Sequence, residues 1–275
     1  MEQDSAESNS FEVRRGITIV PVRSATIPPA THTNCILVGD WDLYVIDPGA
    51  SDAAELCLVT DRVNQLIDRG GRVVAVLLTH SHPDHTAGAE YLRRLYDVPI
   101  MGHQAAAAQV SFAVDRFLND GDVLTSEHDP QCRLQCLHTP GHDPGHLCFL
   151  ESQTGVLLAG DMVANPGTIV VSRQYAGDMS HFLQSLERLL AVECQMIVPA
   201  HGQPSDQPRE LIQRQLEHRL WREAKIERAY AAGATTFDQL LAQAYDDAAS
   251  SAMPLARHAL DAHLAKLGIE LPAGL

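Results

Sequence analysis

The chain has 275 residues, of which 45% are hydrophobic, so it can bury one large core and still carry an appendage. Acidic residues outnumber basic residues by 35 to 20, and the formal charge of −15 repels polyanions at long range, which disfavours nucleic acid as a partner. No segment is apolar for long enough to cross a bilayer, so we expect no membrane span.

The first 14 residues, MEQDSAESNSFEVR, are rich in Glu, Asp and Ser and contain no apolar signal core. We therefore interpret residues 1–14 as a disordered lead-in, and we predict a cytoplasmic protein.

Strands and helices then alternate as far as residue 204. Apolar runs bounded by turn residues predict strands, and the amphipathic stretches between them predict helices. The predicted strands lie at residues 12–22, 34–49 (with turns), 73–78, 98–102, 133–139, 145–151, 155–161, 168–172 and 196–202. The predicted helices lie at residues 53–67, 86–96, 103–109 and 178–191. This alternation is typical of an α/β fold.

From about residue 206 onwards the pattern becomes helical only, with helices predicted at 209–230, 235–245 and 255–267. In the long first helix, the apolar residues of one predicted stripe are Ile212, Leu216, Leu220, Ile226 and Tyr230. Acidic residues are interleaved with basic ones on the other face. This mixture favours a solvated surface over a stripe that binds nucleic acid.

The stretch THSHPDHTAG, residues 79–88, crowds three histidines and an aspartate behind the buried strand VVAVLL. His80 and His82 point the same way in an extended segment, because side chains alternate with period two. The proline that follows bends the chain, which turns Asp84 and His85 toward a second point. The spacing therefore predicts two pairs of metal ligands, and imidazole with carboxylate suits Zn²⁺ and other borderline divalent ions.

Three other strand ends carry matching groups. His142 follows the strand RLQCLHT, Asp161 ends the strand GVLLAGD, and His201 lies at the end of MIVPAHG. Each of these residues taken alone is more often a turn or cap residue. Together with the first four they make five histidines and two aspartates, which is about the number that two metal ions with three or four protein ligands each require.

The motifs HSHPDH, TPGH, AGD and PAHG occur in this order, and through them the sequence resembles the metallo-β-lactamase superfamily over roughly residues 15–204. The resemblance implies a four-layer αββα sandwich with a dinuclear site at one edge. Carried over by position, metal one would take His80, His82 and His142, metal two would take Asp84, His85 and His201, and Asp161 would bridge both.

The segments YAGDMSHFLQSLERLL, PAHGQP, EHRLWREAKIERA and AHLAKL are further similar to the β-lactamase-like protein 2 branch. In that branch a small winged-helix-like domain follows the hydrolase domain, which implies such a helical domain at residues 205–275 of this chain. Only eight residues remain after Leu267, and this is short for a complete wing.

The resemblance implies a metal-dependent hydrolase that uses a metal-bridging hydroxide, because two divalent ions lower the pKa of a shared water. We expect two Zn²⁺ ions, with Mn²⁺ or Fe²⁺ as alternatives. Asp84 and Asp161 are the predicted catalytic residues, since both would orient the ions and assist proton transfer. The true zinc β-lactamases mostly carry cysteine at the position of Asp161, which disfavours a lactam as the native substrate.

Three functions stay open at this point. We favour hydrolysis of a thioester or a related acyl ester of a small molecule. A single-strand endoribonuclease of the β-lactamase-like protein 2 type is the alternative, which the net charge opposes. A non-catalytic, metal-bound binding module is the third and least favoured, because all seven ligand types are retained. A homo-oligomer also stays open.

His218 and Arg219, on the long helix, are predicted to border the substrate. Arg219 falls on the apolar stripe of that helix, where an arginine is either half-buried in an ion pair or aimed at the neighbouring domain. We expect the helix to dock beside the metal cleft, with these two side chains at its rim.

Overall fold

Two β-sheets stacked face to face form the centre of the computed structural model, which describes residues 10–271. In order across the first sheet, the strands are β1 (Phe11–Arg14), β2 (Ile17–Arg23), β3 (His32–Val38), β4 (Asp42–Ile46), β5 (Arg72–Leu77), β6 (Ile100–Gly102) and β7 (Arg116–Phe117). The strands of the second sheet are β8 (Val123–Thr125), β9 (Arg133–His138), β10 (Leu147–Glu151), β11 (Val156–Asn165) and β12 (Met196–Gly202), in the spatial order β12-β11-β10-β9-β8.

Helices cover both outer faces of this sandwich. In chain order, the helices of the described residues are α1 (Ala53–Ile67), α2 (Pro83–Thr86), α3 (Ala89–Tyr96), α4 (Gln104–Ala107), α5 (Met179–Leu190), α6 (Pro208–Ala231), α7 (Phe237–Ala244) and α8 (Met253–Leu267). Helices α1 and α3 pack on the first sheet, and α5 with the start of α6 packs on the second. The expected four-layer αββα arrangement is therefore confirmed.

The alternation of side chains along β2 shows why the sequence folds into layers. Ile17 and Ile19 join the core between the two sheets, whereas Val20 and Val22 join the core beneath α1 and α3. All four side chains are at most 1% exposed. Burying an aliphatic side chain of this size stabilises the fold by about 1.5–3 kcal/mol. Two apolar faces on one strand therefore hold three layers together.

Parallel pairing sets the position of the functional edge. Strands β4, β5 and β6 pair in parallel within the first sheet, and β11 pairs in parallel with β12 in the second. The carboxyl ends of parallel strands meet at one edge of a sheet, where ligand sites form in α/β folds. The loops that follow β4, β5, β11 and β12 therefore gather at one edge of the sandwich.

The end of the predicted lead-in differs from the expectation. Residues 11–14 form the edge strand β1, in which Phe11 pairs with Ile19 across an antiparallel ladder. Gly16, at a φ of 73°, makes the turn between β1 and β2. The ladder has a register shift between Glu12 and Arg14, and Val13, which lies between them, packs against the central core. Residues 1–9 of the predicted lead-in lie outside the described residues.

The predicted strand at 168–172 is wrong. These residues carry no strand pairing, and β11 instead continues to Asn165. The main reason is that the polar groups of this segment bind side chains instead of a neighbouring strand: Gly167 and Ile169 carbonyls accept hydrogen bonds from helix α6. An apolar run with β-branched residues predicts an extended backbone, and a sheet partner does not follow from it.

Helix α6 is shared between two cores. Leu211, Ile212 and Leu216 near its start pack with α5, whereas Ile226 and Ala229 near its end pack with α7 and α8. The predicted apolar stripe is only partly correct, because Leu220 and Tyr230 are exposed. Polar side chains take their places on the buried face, namely Gln215, Arg219 and Arg222.

The C-terminal region is helical within the described residues, which end at residue 271. Up to residue 271 it contains α6, α7, α8 and a single 3₁₀ turn, with no strand among them. Helix α7 begins with a capping box formed by Thr236 and Gln239. Within residues 10–271, none of the helices has both the length and the apolar character that a transmembrane helix needs.

Candidate metal centre

The histidine-rich stretch 79–88 leaves β5 and turns at once into the short helix α2. His82 keeps an extended backbone, with φ −65° and ψ 146°, and acts as the N-cap of α2, and Pro83 takes the first helical position. Because His80 and His82 precede the turn and Asp84 and His85 follow it, the two pairs face different points. The four side chains are therefore divided into the two pairs that the spacing predicts, and their role as metal ligands stays a prediction.

Three ring nitrogens meet at the first point. His82 Nδ1 lies 3.0 Å from His80 Nε2 and 2.9 Å from His142 Nε2. Ligands of a tetrahedral zinc ion lie about 3.3 Å apart, so this spacing is close to that of a metal site. His80 is fully buried and His142 is 8% exposed. These three histidines can hold one metal ion.

A second point is surrounded by Asp84, His85 and His201, which can also hold a metal ion. Asp84 Oδ2 lies 3.4 Å from His201 Nε2 and 3.7 Å from His85 Nε2. His201 comes from β12, so the two sheets contribute to one site. The structure thus brings Asp84 and His201, which are far apart in the sequence, into one cluster.

Asp161 lies between the two points. Its Oδ2 is 3.4 Å from His142 Nε2, and its Oδ1 is 3.4 Å from His201 Nε2 and 3.7 Å from His85 Nε2. Gly160, before it, has a φ of 50°, and a Cβ there would lie 2.6 Å from His146 Nε2. The turn of backbone that aims Asp161 between the points therefore requires glycine.

Unpartnered buried atoms show that the site suits metal ions. Among the described residues, His85 Nε2 and Asp161 Oδ1 are buried and have no hydrogen-bond partner. Buried polar atoms almost always have partners, so two such atoms facing one another call for a further group between them. The set of nitrogen and carboxylate donors fits zinc and similar divalent ions.

The electrostatics of the two points also favour cations. Burial lowers the pKa of His80 and of His142 well below the ordinary value, and neighbouring imidazoles lower it further, so both rings are neutral and free to bind a cation. Burial also lowers the pKa of His85, but Asp161, Asp47 and Asp84 outweigh burial and raise it to about 10. The carboxylates thus create a strong demand for positive charge at the second point.

The outward-facing nitrogens of four of these histidines are held by other groups. His80 Nδ1 lies 2.9 Å from Thr79 Oγ1, and His85 Nδ1 lies 2.8 Å from Asp47 Oδ2. His142 Nδ1 donates to the Val170 carbonyl at 2.8 Å, and His201 Nδ1 donates to the His32 carbonyl at 2.9 Å. Partners of this kind fix the tautomer and the orientation of ligand histidines. The rings are therefore preorganised.

Asp47 is a residue of the candidate site that the sequence reasoning missed. Its carboxylate accepts hydrogen bonds from the Thr79 backbone at 2.8 Å and from the Thr79 hydroxyl at 2.6 Å, as well as from His85. A signal was available, because Asp47 directly follows the buried strand β4, just as the predicted ligands follow their strands.

Asp143 and His146 also support the site. Asp143 accepts a short hydrogen bond from the Ser81 hydroxyl, which fixes the loop between His80 and His82. His146 Nε2 accepts the backbone N–H of Asp161 at 3.0 Å. Both residues lie in the turn that follows β9, within four residues of the candidate ligand His142.

The two predicted substrate residues on α6 lie in different surroundings from those expected. Arg219 is 3% exposed, and its guanidinium donates to the Thr168 hydroxyl at 2.6 Å and to the Ile169 carbonyl. It is therefore enclosed by protein instead of lying at a rim that a substrate could contact. His218 is half-buried, and burial together with Arg219 and Arg222 lowers its pKa to about 4.

An aromatic side chain lies beside the first point instead. Tyr175 is 50% exposed, and its ring packs edge-on against the ring of His82, with 5.9 Å between centroids. The backbone before Tyr175 is held by α8, since Ser172 Oγ lies 3.0 Å from His258 Nδ1 and Arg173 pairs with Asp261. The C-terminal helices thus support one wall beside the candidate metal ligands.

Comparison with known proteins agrees with this geometry. The family model of the metallo-beta-lactamase superfamily matches residues 28–201, which is more than half of the chain. An atrochrysone carboxyl ACP thioesterase from Passalora fulva is 30% identical over 224 residues, covering 78% of this chain and 63% of that protein. The lactamase-like protein adaB from Aspergillus niger is 30% identical over 237 residues, covering 78% of this chain and 68% of that protein.

The chain spans about half to two thirds of the length of the thioesterases it matches. Among solved structures, a metallo-beta-lactamase family protein from Thermus thermophilus has a TM-score of 0.75 at 22% identity, covering 96% of this chain and 97% of that one. A beta-lactamase domain protein from Burkholderia ambifaria has a TM-score of 0.76 at 21% identity, with coverages of 96% and 89%. The shared fold therefore takes in the C-terminal helices, and the chain belongs to the metallo-beta-lactamase superfamily.

Proposed function

We propose that this chain is a dinuclear metal-dependent hydrolase of thioesters or related acyl esters. The observation that carries the proposal is the division of the Asp161 carboxylate between two ligand groups, with Oδ2 toward His142 and Oδ1 toward His201. A carboxylate shared in this way is suited to bridging two ions. One ion would be held by His80, His82 and His142, and the other by Asp84, His85 and His201, with Asp161 on both.

When bound, two divalent ions, most suitably Zn²⁺ with Mn²⁺ or Fe²⁺ as alternatives, supply a hydroxide at neutral pH and polarise the substrate carbonyl. Hydrolysis adds a water oxygen to the acyl carbon and breaks the carbon–sulfur bond. The products are a carboxylic acid and a thiol, so a proton must reach the departing sulfur.

Asp84 and Asp161 are the catalytic residues in this proposal. Asp84 is the more accessible of the two, with its side chain 14% exposed against 8% for Asp161. Of the two carboxylates, Asp84 is therefore the better placed to relay a proton from the attacking water to the sulfur, through the oxygen that is not directed at His85 and His201. The buried histidines hold their orientation through Asp47 and the backbone carbonyls during the reaction.

A small acyl substrate is supported by two separate observations. The thioesterase from Passalora fulva and a second from Aspergillus fumigatus act, by their names, on a carboxyl group held by an acyl carrier protein. In this chain the half-exposed ring of Tyr175 beside His82 offers an apolar surface for an acyl group.

Domain boundaries, location and self-association are part of this proposal as well. The hydrolase domain is placed at residues 15–204 and the helical, winged-helix-like domain at 205–275, although α6 packs in the cores of both parts. A cytoplasmic location is proposed as well. Leu220 and Trp221 are exposed on α6 and are the surface proposed for self-association. Size-exclusion chromatography of the wild type and of a Trp221→Ala variant tests this.

The experiment is a turnover panel on zinc-loaded and manganese-loaded protein. It compares aromatic acyl-thioesters of coenzyme A with single-stranded RNA, using Asp161→Ala as the inactive variant and Asp206→Ala as the matched control, since Asp206 is 70% exposed and pairs with Arg14. Thioester cleavage that is lost only in Asp161→Ala supports the proposal. RNA cleavage that is lost only in this variant, without thioester cleavage, would overturn it in favour of a ribonuclease.

A further inference from the structure

The segment that follows β11 connects the C-terminal helices to a metal ligand. Residues 166–172 form no strand pairing, yet the Val170 carbonyl accepts a hydrogen bond of 2.8 Å from His142 Nδ1. Partners of this type decide where a ligand histidine points. The position of the Val170 carbonyl therefore fixes the orientation of the His142 ring. Groups that hold residues 166–172 in place consequently affect the geometry of the first metal position.

Helix α6 holds this segment through two buried side chains one turn apart. Gln215 Nε2 donates to the Gly167 carbonyl at 2.8 Å. Arg219 Nη2 donates to the Thr168 hydroxyl at 2.6 Å and to the Ile169 carbonyl. Gln215 is 2% exposed and Arg219 is 3% exposed. Residues four apart lie on one face of a helix, so the two side chains grip consecutive parts of the segment.

Arg219 is unusual among the buried cations of this chain, because no carboxylate lies among its described contacts. Its guanidinium sits over the Phe182 ring, 5.4 Å from the centroid, and burial lowers its pKa to about 10. Arg222, by contrast, pairs with both oxygens of Asp247. A buried charge without an ion pair is costly, and an apolar side chain would serve stability better. The hydrogen bonds of Arg219 to Thr168 and Ile169 offset part of this cost.

We propose that Arg219, assisted by Gln215, is a positioning residue for the metal ligand His142, acting through Ile169 and the Val170 carbonyl. Arg219 touches neither substrate nor metal. The C-terminal helical region thereby takes part in building the first metal position. This inference rests on the proposed metal centre and is independent of which ester is cleaved.

The test measures metal affinity and coordination in the full-length chain. Arg219→Met removes the donors and keeps much of the apolar bulk, and Arg219→Lys restores a donor. Zinc dissociation constants are measured by competition with a chromophoric chelator, and cobalt(II)-loaded protein is compared by its visible absorption spectrum. We expect Arg219→Met to bind one of the two ions about tenfold more weakly, with a changed cobalt spectrum and partial rescue in Arg219→Lys.

Arg222→Met is the matched control. Arg222 is also buried on α6, at 6% exposed, but it lies between the rings of Trp221 and Tyr245 and bonds to the Ala244 carbonyl, away from the segment 166–172. Its loss should lower stability without changing the zinc affinity or the cobalt spectrum. If Arg219→Met does not fold, the zinc affinity and cobalt spectrum of Gln215→Leu test the same positioning role.

The outcomes separate the inference from the proposed function. If the wild-type protein binds no metal ion, the proposed function fails. If the wild type binds two ions and both Arg219→Met and Gln215→Leu match Arg222→Met in zinc affinity and cobalt spectrum, the positioning role of Arg219 is overturned. A weaker affinity and an altered spectrum confined to the variants of residues 215 and 219 support it.

Discussion

Asp47 Oδ2 accepts a hydrogen bond of 2.8 Å from His85 Nδ1, at the bottom of the second ligand group. The carboxylate is 3% exposed and His85 is fully buried, so solvent does not weaken the interaction. A carboxylate behind a ligand histidine raises the basicity of the ring and fixes its orientation. Asp47 is therefore as much a part of the proposed centre as the ligands in front of it.

Asp47→Asn should weaken metal binding at the second position about tenfold, because the negative charge behind His85 is lost while the size of the side chain is kept. Zinc affinity measured by competition with a chelator checks this. Asp97→Asn is the matched control, since Asp97 and Asp47 share a positive φ, of 52° and 50°, that asparagine tolerates. Equal zinc affinities in the two variants would contradict the role of Asp47.

Tyr175→Ala should raise KM for aromatic acyl-thioesters about tenfold and leave kcat nearly unchanged. The tyrosine is 50% exposed beside His82, and an aromatic contact with an acyl group contributes about 1–1.5 kcal/mol, which corresponds to roughly a tenfold change in affinity. Tyr91→Ala is the control, because Tyr91 is 43% exposed on α3. Steady-state kinetics on a series of acyl chains checks the prediction, and a loss of kcat alone would count against it.

Removal of metal should destabilise the folded chain. An ion present at about a thousand times its dissociation constant stabilises the folded state by about 4 kcal/mol if it does not bind the unfolded chain. Thermal unfolding of zinc-loaded protein with and without a strong chelator measures this, and we expect a clear fall in Tm. The Asp161→Ala variant should show a smaller shift, and a shift equal to that of the wild type would contradict the shared role of Asp161.

Asp42 offers a test of stability against pH away from the centre. The carboxylate is 2% exposed and accepts hydrogen bonds from Ser126 Oγ at 2.8 Å, the Glu127 backbone at 2.6 Å and Arg72 Nε at 2.8 Å. Burial raises the pKa of Asp42, but the hydrogen bonds from Arg72, Ser126 and His128 outweigh burial and hold it well below its usual value.

Asp42→Asn should therefore lower the free energy of unfolding at pH 7 by about 2 kcal/mol. A group whose folded pKa is depressed stabilises the fold above its unfolded pKa of about 3.9, and this stabilisation fades as the pH falls below that value. The difference between wild type and variant in urea unfolding should thus shrink below about pH 4. A difference that stays constant down to about pH 3 would contradict this account.

The candidate ligands were predictable from the sequence because most of them lie at or just beyond the end of an apolar run. HSHPDH follows β5 and His201 is the last but one residue of β12, whereas β11 continues for four residues beyond Asp161, which lies at a register shift beside Gly160. An apolar strand and the polar residue that follows it are neighbours in the sequence, so this pattern can be recognised locally. Parallel strands then bring their carboxyl ends to the same edge of the sheet. The structure places all seven predicted ligands there.

The polar side chains of α6 were not predictable in the same way. Gln215, Arg219 and Arg222 are buried, although polar side chains usually lie on the solvated face of a helix. Leu220 and Tyr230 are exposed, although apolar side chains usually lie on the buried face. The surface that α6 covers includes free backbone carbonyls, such as those of Gly167 and Ile169. A helix facing such groups needs donors, and the carbonyls come from a segment about 50 residues away that periodicity cannot reveal.

A crystal structure of zinc-loaded protein, with diffraction measured on both sides of the zinc absorption edge, tests the central claim most directly. The account predicts two anomalous peaks in each chain, one among His80, His82 and His142 and one among Asp84, His85 and His201, with an Asp161 oxygen directed to each. A single peak, or two peaks with Asp161 bound to only one, would contradict the dinuclear centre.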